Sequence, residues 1–436
     1  MQFNPFSPEV RQNPYPSYAE LRREAPLYKL EPMGFWMVTR YEDVQFVLKS
    51  PHLFSSEGMA GPQGLQGQIR SIITMDPPDH QRMRSLVGRA FTPRMIAELE
   101  PRIREITRGL VSKVAHSSEF DAIGGLALPL PVRVIAEMLG VDARRMHDFK
   151  RWSDIMVAQL MRPGATPEEV AYEQAERAAF EQYFLWAIEE RRKKPGSDLI
   201  SALVRAEEEH QHLTADEVFG FALLLLIAGN ETTTNLIGNM VLTLLRNPWE
   251  LEKLRRDPSL IPAAVEETLR YDSPVQMLFR IAREDVEMHG ERIPKGAMVW
   301  PVLASANRDE ARYPEPDRFQ IGRDASGHVA FGHGIHFCIG APLARLEARI
   351  AMEELLPHLS QARLGEQPLD YIDAFFLRGL KHLPLMLPER QLSPDMPPSP
   401  RELMRMSARL ARHTAKDAYG GVKALLKRAR RDSPPL

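Results

Sequence analysis

Apolar positions recur along most of this chain at helical spacing, and one segment stands apart because it is apolar on every side. Phe219-Gly220-Phe221-Ala222-Leu223-Leu224-Leu225-Leu226-Ile227 leaves no polar face, a pattern that fits a helix buried all round. Just upstream, Leu213-Thr214-Ala215-Asp216-Glu217 forms a capping box, with Thr214 as N-cap and Glu217 at N3. No breaker follows until Asn247-Pro248. The pattern predicts one helix of about 32 residues, roughly 48 Å long at 1.5 Å per residue and able to cross a whole domain. In its middle the apolar run is broken by Ala228-Gly229-Asn230-Glu231-Thr232-Thr233-Thr234. A carboxylate and three threonines in mid-helix compete for backbone hydrogen bonds and weaken it. The insert therefore reads as functional, the plainer alternative being a polar helix face near a surface.

The other elements follow from punctuation. Residues 94–213 read as a series of helices broken by Pro129, Pro131, Pro163-Gly164 and Pro195-Gly196, with no chemistry evident. At the N-terminus, Asn4-Pro5-Phe6 and Asn13-Pro14-Tyr15-Pro16 read as extended or turn-like, because proline disfavours helix in the residue before it. A helix around Tyr18–Glu24, a strand over Gly34–Thr39 and a helix opening at Tyr41 come next. Four glycines between Gly58 and Gly67 predict a mobile loop. Asp76-Pro77-Pro78-Asp79-His80 then starts a helix on which His80 and Arg84 share a face. Pro274 to Ala304 alternates and turns like a small sheet. The fold class expected is mainly α with a small β region.

Composition narrows the class. At 44% hydrophobic and 26% charged residues the chain is of ordinary globular type. No apolar run reaches the roughly 20 residues a membrane span needs, and no basic segment precedes an N-terminal apolar stretch. No transmembrane anchor, no nucleic-acid partner and a cytoplasmic location are the expectations. The net charge of −2 conceals an asymmetry, since residues 391–436 carry ten Lys/Arg against four Asp/Glu.

Candidate chemistry centres on the only cysteine, in Phe331-Gly332-His333-Gly334-Ile335-His336-Phe337-Cys338-Ile339-Gly340. Ala341-Pro342-Leu343 reads as the start of a helix, with proline in its first turn. Cys338 then lies at a positive helix end, where a thiolate is favoured. Three readings stand: a buried small hydrophobe, a nucleophile with His333 or His336 as base, or a metal ligand. Zinc and iron–sulfur sites fail on counting, because they recruit several cysteines.

The loop resembles the haem-binding loop of the cytochrome P450 family, F-x-x-G-x-x-x-C-x-G, through Phe331, Gly334, Cys338 and Gly340. The resemblance runs over about residues 5–390 and implies the P450 fold, haem b as cofactor and Cys338 as the thiolate ligand of its iron. A thiolate pushes electron density onto the iron and favours O–O cleavage. It further implies His80, Arg84, Arg280 and His336 as donors around the haem, and Glu231 with Thr232 as the acid–alcohol pair that delivers protons during O2 activation. Glu267-Thr268-Leu269-Arg270 resembles the family's E-x-x-R ion pair, with Arg318 as the expected third member. Val275, Met277, Leu278, Phe279 and Ala374–Leu377 fall where the family lines its pocket, implying a hydrophobic small-molecule substrate. Asn230 departs from the Gly or His commoner at its position.

The activity implied is monooxygenation, by hydroxylation or epoxidation. No dinucleotide motif follows a strand, so a separate ferredoxin-type donor with its reductase is expected. An H2O2-dependent peroxygenase is the rival enzyme, and a haem-containing binder or sensor the non-catalytic one; the Glu231–Thr232 pair speaks against both. The domain reading is a haem-thiolate catalytic domain over 1–390 and a basic amphipathic extension over 391–436. In the extension, Arg401, Arg405, Arg409, Arg412 and Lys416 fall on one side of a helix begun by the capping box Ser399-Pro400-Arg401-Glu402.

Overall fold

A computed structural model describes residues 3–57, 71–113, 117–161, 166–208, 213–359 and 361–387. The glycine-rich stretch 58–67 and the extension 391–436 lie outside these residues. Seven helices frame the site: α1 (Asp79–Ala90), α2 (Pro129–Met138), α3 (Met146–Met161), α4 (Pro167–Lys193), α5 (Ala215–Arg246), α6 (Ile261–Tyr271) and α7 (Ala341–Leu359).

Helix α5 is the predicted rod, 32 residues long. Its capping box closes both ways: Glu217 N donates to Thr214 Oγ1 at 3.2 Å, and Thr214 N to Glu217 Oε2 at 3.0 Å. Helices α2, α3, α4, α6 and α7 all pack on it, and its apolar residues form the centre of the main core. Packing against α2 is close enough to dictate residue size, because a Cβ on Gly229 would come within 2.8 Å of Ile135 Cδ1. Among the described residues no helix is long and apolar enough to cross a membrane.

The largest part of the β region is a five-stranded sheet, beside smaller sheets of three and two strands. Strands β1 (Leu27–Leu30), β2 (Phe35–Val38), β3 (Phe54–Ser55), β4 (Arg280–Ala282) and β5 (Met298–Pro301) lie in the order β1-β2-β5-β4-β3. The β2–β5 pair is parallel, with Trp36 opposite Val299, and the other pairs are antiparallel. The strand expected near Gly34–Thr39 thus shares one sheet with two of the strands in the region 274–304, while Val286–Met288 and Glu291–Ile293 pair as a separate hairpin. Asn4-Pro5-Phe6 is turn-like and Asn13-Pro14 irregular, as expected, but helix takes up more of the N-terminus than its prolines suggest. Tyr15–Glu24 is a helix and Pro8–Gln12 a short one. Their prolines occupy first-turn positions, where no N–H is required.

Glu267 and Arg270 on α6 form a fully buried pair, with Arg270 Nε 2.8 Å from Glu267 Oε2 and Nη2 2.9 Å from Oε1. The third cation is Arg323, whose Nε lies 3.3 Å from Glu267 Oε1 with its side chain 8% exposed. Arg318 does not fill that role. Its side chain is 65% exposed beside Glu315, and it contributes only a carbonyl that accepts from Arg270.

Candidate active site

The cysteine loop is held by its own backbone and by one tight contact. Cys338 N donates to Phe331 O at 3.0 Å. Gly334 has φ of +71°, and a Cβ there would sit 2.5 Å from Leu48 O, in the helix Tyr41–Lys49. No other residue fits. Helix α7 begins three residues past the cysteine. N–H groups of Gly340 and Ala341, with the fields of Arg84 and Arg345, favour the thiolate, but burial outweighs them and pushes the thiol above its ordinary range. Coordination would reverse that balance, since a metal-bound thiol is deprotonated outright.

A cysteine–histidine dyad is not formed. Among the described residues no histidine nitrogen bonds the sulfur, and His336 Nε2 instead lies 3.0 Å from Ser56 Oγ. Burial, together with Arg280 and His80, drives the His336 pKa down to about 3.

His336 belongs to a cluster of donors drawn from three segments. Its ring centroid is 4.2 Å from that of His80 on α1. Arg280, on β4, is buried and held down to about 10 by that burial. Arg84, one turn beyond His80, donates through Nη2 to Phe337 O at 2.7 Å, next to the cysteine. Asp76 is the carboxylate whose field opposes these groups, and it is already engaged by Ser55, by Ser56 N at 3.0 Å and by Arg283. Buried His80 Nδ1 has no partner. A cluster this rich in donors suits a dianionic ligand, and the two propionates of a haem beside Cys338 meet that description. The residues present fit the group.

The polar insert of α5 behaves as its spacing requires. Leu224 and Thr232 are half-buried and Ala228 is exposed, on a helix otherwise largely buried. These three lie one turn apart on one face, which therefore opens on a cleft. Thr232 Oγ1 donates to Ala228 O at 2.6 Å, the alcohol entering the helical ladder. Glu231 is raised above the ordinary carboxylate range by burial, helped by Asp154 and offset by Asn235. Asn230 Nδ2 donates to Ser153 Oγ on α3 at 2.7 Å.

Known proteins place the chain in a family. The sequence profile described as "Cytochrome P450" matches residues 132–378. The chain is 43% identical over 399 residues to cytochrome P450 107B1 of Saccharopolyspora erythraea, spanning 87% of this chain and 96% of that protein. It is 43% identical over 401 residues to the vitamin D(3) 25-hydroxylase of Pseudonocardia autotrophica, spanning 89% and 97%. Among solved structures it is similar to cytochrome P450 CYP109Q5 from Chondromyces apiculatus, with TM-score 0.82, 48% identity and coverage of 88% and 98%. CYP109E1 from Bacillus megaterium in complex with corticosterone gives TM-score 0.80, 42% identity and coverage of 87% and 99%. The chain belongs to the cytochrome P450 family.

As a cytochrome P450 it is a haem-dependent monooxygenase. The apolar lining differs in one respect from expectation. Met277 is fully buried in the cluster around Trp300, whereas Val275 and Leu278 keep exposed surface. Gln276 N bonds Phe376 O and Leu278 N bonds Pro301 O, and Met277 and Leu278, adjacent in this stretch, face apart.

Two neighbours of the cysteine loop carry no signal in the sequence. Arg345 lies 4.6 Å over the Phe331 ring and is gripped by Glu266 at 2.6 and 2.8 Å. Asp76 sits in a segment legible only as a helix start. Its burial at 2% exposure is what marks it.

Proposed function

We propose that this P450 binds haem b through Cys338, with His80, Arg84, Arg280 and His336 around the propionates, and oxygenates a lipophilic polycyclic or macrocyclic substrate. Bound haem supplies the activation of O2 and the transfer of one oxygen atom. The chain supplies proton handling: Glu231 holds a proton at its carboxyl oxygen and Thr232 passes it through Oγ1. The Thr232–Ala228 hydrogen bond beside a carboxyl of raised pKa, on the one open face of a buried helix, carries this reading. A peroxygenase or a non-catalytic haem binder would have no use for that pair. The substrate class rests on relatives named as a vitamin D(3) 25-hydroxylase and a 6-deoxyerythronolide B hydroxylase, and on a similar structure that holds corticosterone.

A panel of steroids, secosteroids and macrolide precursors, added to ferric protein, should include members that displace water from the iron and change its spin state. A response confined to small polar compounds would sink the substrate assignment.

Thr232→Ala should bind such ligands as before while product per electron pair falls about 100-fold, the low end for loss of acid–base help. The missing electrons should be recovered as peroxide. Unchanged coupling would show that the hydroxyl has no part in proton transfer.

Electrons come, in this reading, from a ferredoxin-type protein and its reductase, and the basic extension 391–436 is a docking surface for that acidic donor. Truncation after Arg390 should leave haem content and ligand binding intact and slow reduction, most strongly at low salt where screening is weakest. Equal reduction rates at low ionic strength would dismiss the docking role.

A further inference from the structure

The loop that carries Cys338 is braced by a chain of side chains that neither proton handling nor the haem-donor cluster uses. At its near end is Arg345, in the second turn of α7, whose guanidinium carbon stands 4.6 Å from the centre of the Phe331 ring. At that distance a cation holds to an aromatic face. The same guanidinium grips both oxygens of Glu266 on α6, Nε to Oε1 at 2.6 Å and Nη2 to Oε2 at 2.8 Å. At the far end His328 Nε2 lies 3.1 Å from Glu266 Oε2. Every link is a direct contact, and the three residues come from three separate segments.

The state of each group follows from its neighbours. Ala330 N donates to His328 Nδ1 at 3.2 Å, so that nitrogen is an acceptor and the ring hydrogen is on Nε2, directed at Glu266. His328 is therefore neutral in this arrangement, with its side chain only 3% exposed. Burial by itself would push the Glu266 carboxyl up, but bonds from Arg345 and His328 hold it down to about 2, and it stays an anion. Arg345 is half-buried, and a long cation at a surface samples many rotamers unless something fixes it; the planar fork on Glu266 selects one. Phe331 is also the residue whose carbonyl accepts from Cys338 N at 3.0 Å. Two contacts thus lead from the guanidinium to the cysteine backbone, and its positive field reaches the sulfur.

We propose that Glu266 and His328 are positioning residues that lock the Arg345 guanidinium onto Phe331, fixing one positive charge beside the Cys338 loop and so raising the reduction potential of the haem that the cysteine ligates. The sign follows from charge: reduction adds an electron at the site, and a nearby cation favours the form that carries it. A cation free to swing into solvent would be screened by water and salt instead. His328 brings no charge of its own, so its part is geometric and separable from that of Arg345. The inference rests on the haem-thiolate reading of Cys338.

The test is a redox titration of the substrate-free holoenzyme, with the reduced–carbon monoxide spectrum recorded for each variant. All variants should keep the red-shifted band, showing that the thiolate is still in place. Arg345→Met should lower the reduction equilibrium constant about tenfold, a midpoint potential about 59 mV more negative for one electron. Arg345→Lys keeps the charge without the planar fork and should fall between the two. His328→Asn keeps an oxygen for Ala330 N but no donor that reaches Glu266; it changes no charge, so a fall of about threefold would report a displaced guanidinium. His328→Gln presents a donor to Glu266 again and should return most of the parent value. In an Arg345→Met or a Glu266→Ala background His328→Asn should add nothing, because its effect passes through the missing side chain. A parent-like potential in Arg345→Met would overturn the proposal. So would a His328→Asn shift that persists without Arg345, or a His328→Asn protein that melts lower yet keeps the parent potential. Absence of the red-shifted band in the parent itself would instead remove the haem-thiolate reading.

Discussion

Cys338→Ser is expected to lose the strongly red-shifted Soret band that the reduced parent shows with carbon monoxide, and to lose oxygenation with it. Serine is nearly isosteric and keeps the loop's constraints. The Cys338 N–H bond to Phe331 O is backbone, and Gly334 remains locked against Leu48 O. The variant should therefore fold, melting within a few degrees of the parent, since a near-isosteric change here removes no packing. What changes is the donor. A hydroxyl does not become an alkoxide beside the N–H groups of Gly340 and Ala341 as a thiol becomes a thiolate, so electron donation to the iron collapses. Haem retained through the His80, Arg84, Arg280 and His336 cluster would show an ordinary, unshifted band, separating the roles of sulfur and donors. A red-shifted band in the serine variant would overturn the ligand assignment.

How far the site can be read in the sequence depends on how local each signal is. The long helix is written in adjacent residues, Thr214 with Glu217 at one end and Asn247-Pro248 at the other, and the structure places its limits there to the residue. The Thr232–Ala228 bond is equally local, being a four-residue spacing on one helix. The cysteine loop is legible because its glycines answer to backbone geometry. Signals that depend on tertiary register are not. Arg318 and Arg323 stand five residues apart in the same irregular segment, and nothing in their neighbours says which one turns inward. Met277 and Leu278 are adjacent and differ only in which of them faces the cleft. Asp76 shows the same limit, because the two histidines and the arginine it faces come from three separate segments.

The buried charge network should give the largest loss of stability, and in a defined order. Arg270 and Glu267 are both fully buried, and Arg270 Nη1 also donates to the carbonyls of Asn307 and Pro316, each at 2.9 Å. Arg270→Ala removes a bidentate partner and leaves those carbonyls unmet. Breaking a buried pair from one side costs about 3–5 kcal/mol, enough to put much of the chain below its folding threshold at physiological temperature. Arg323→Ala leaves the bidentate pair in place and removes a longer 3.3 Å contact to the same carboxylate, with guanidinium bonds to the Pro314, Glu315 and Arg318 carbonyls, so the loss should be about 1–3 kcal/mol. Arg318→Ala trims a side chain 65% exposed and keeps the carbonyl that Arg270 uses, and should stay within about 0.5 kcal/mol. Urea unfolding of the three variants, followed by tryptophan fluorescence with haem content recorded in parallel, ranks them directly. An Arg318 variant less stable than the Arg323 variant would reverse the assignment of the third cation, returning Arg318 to the place next to Glu267 that the family resemblance implies for it.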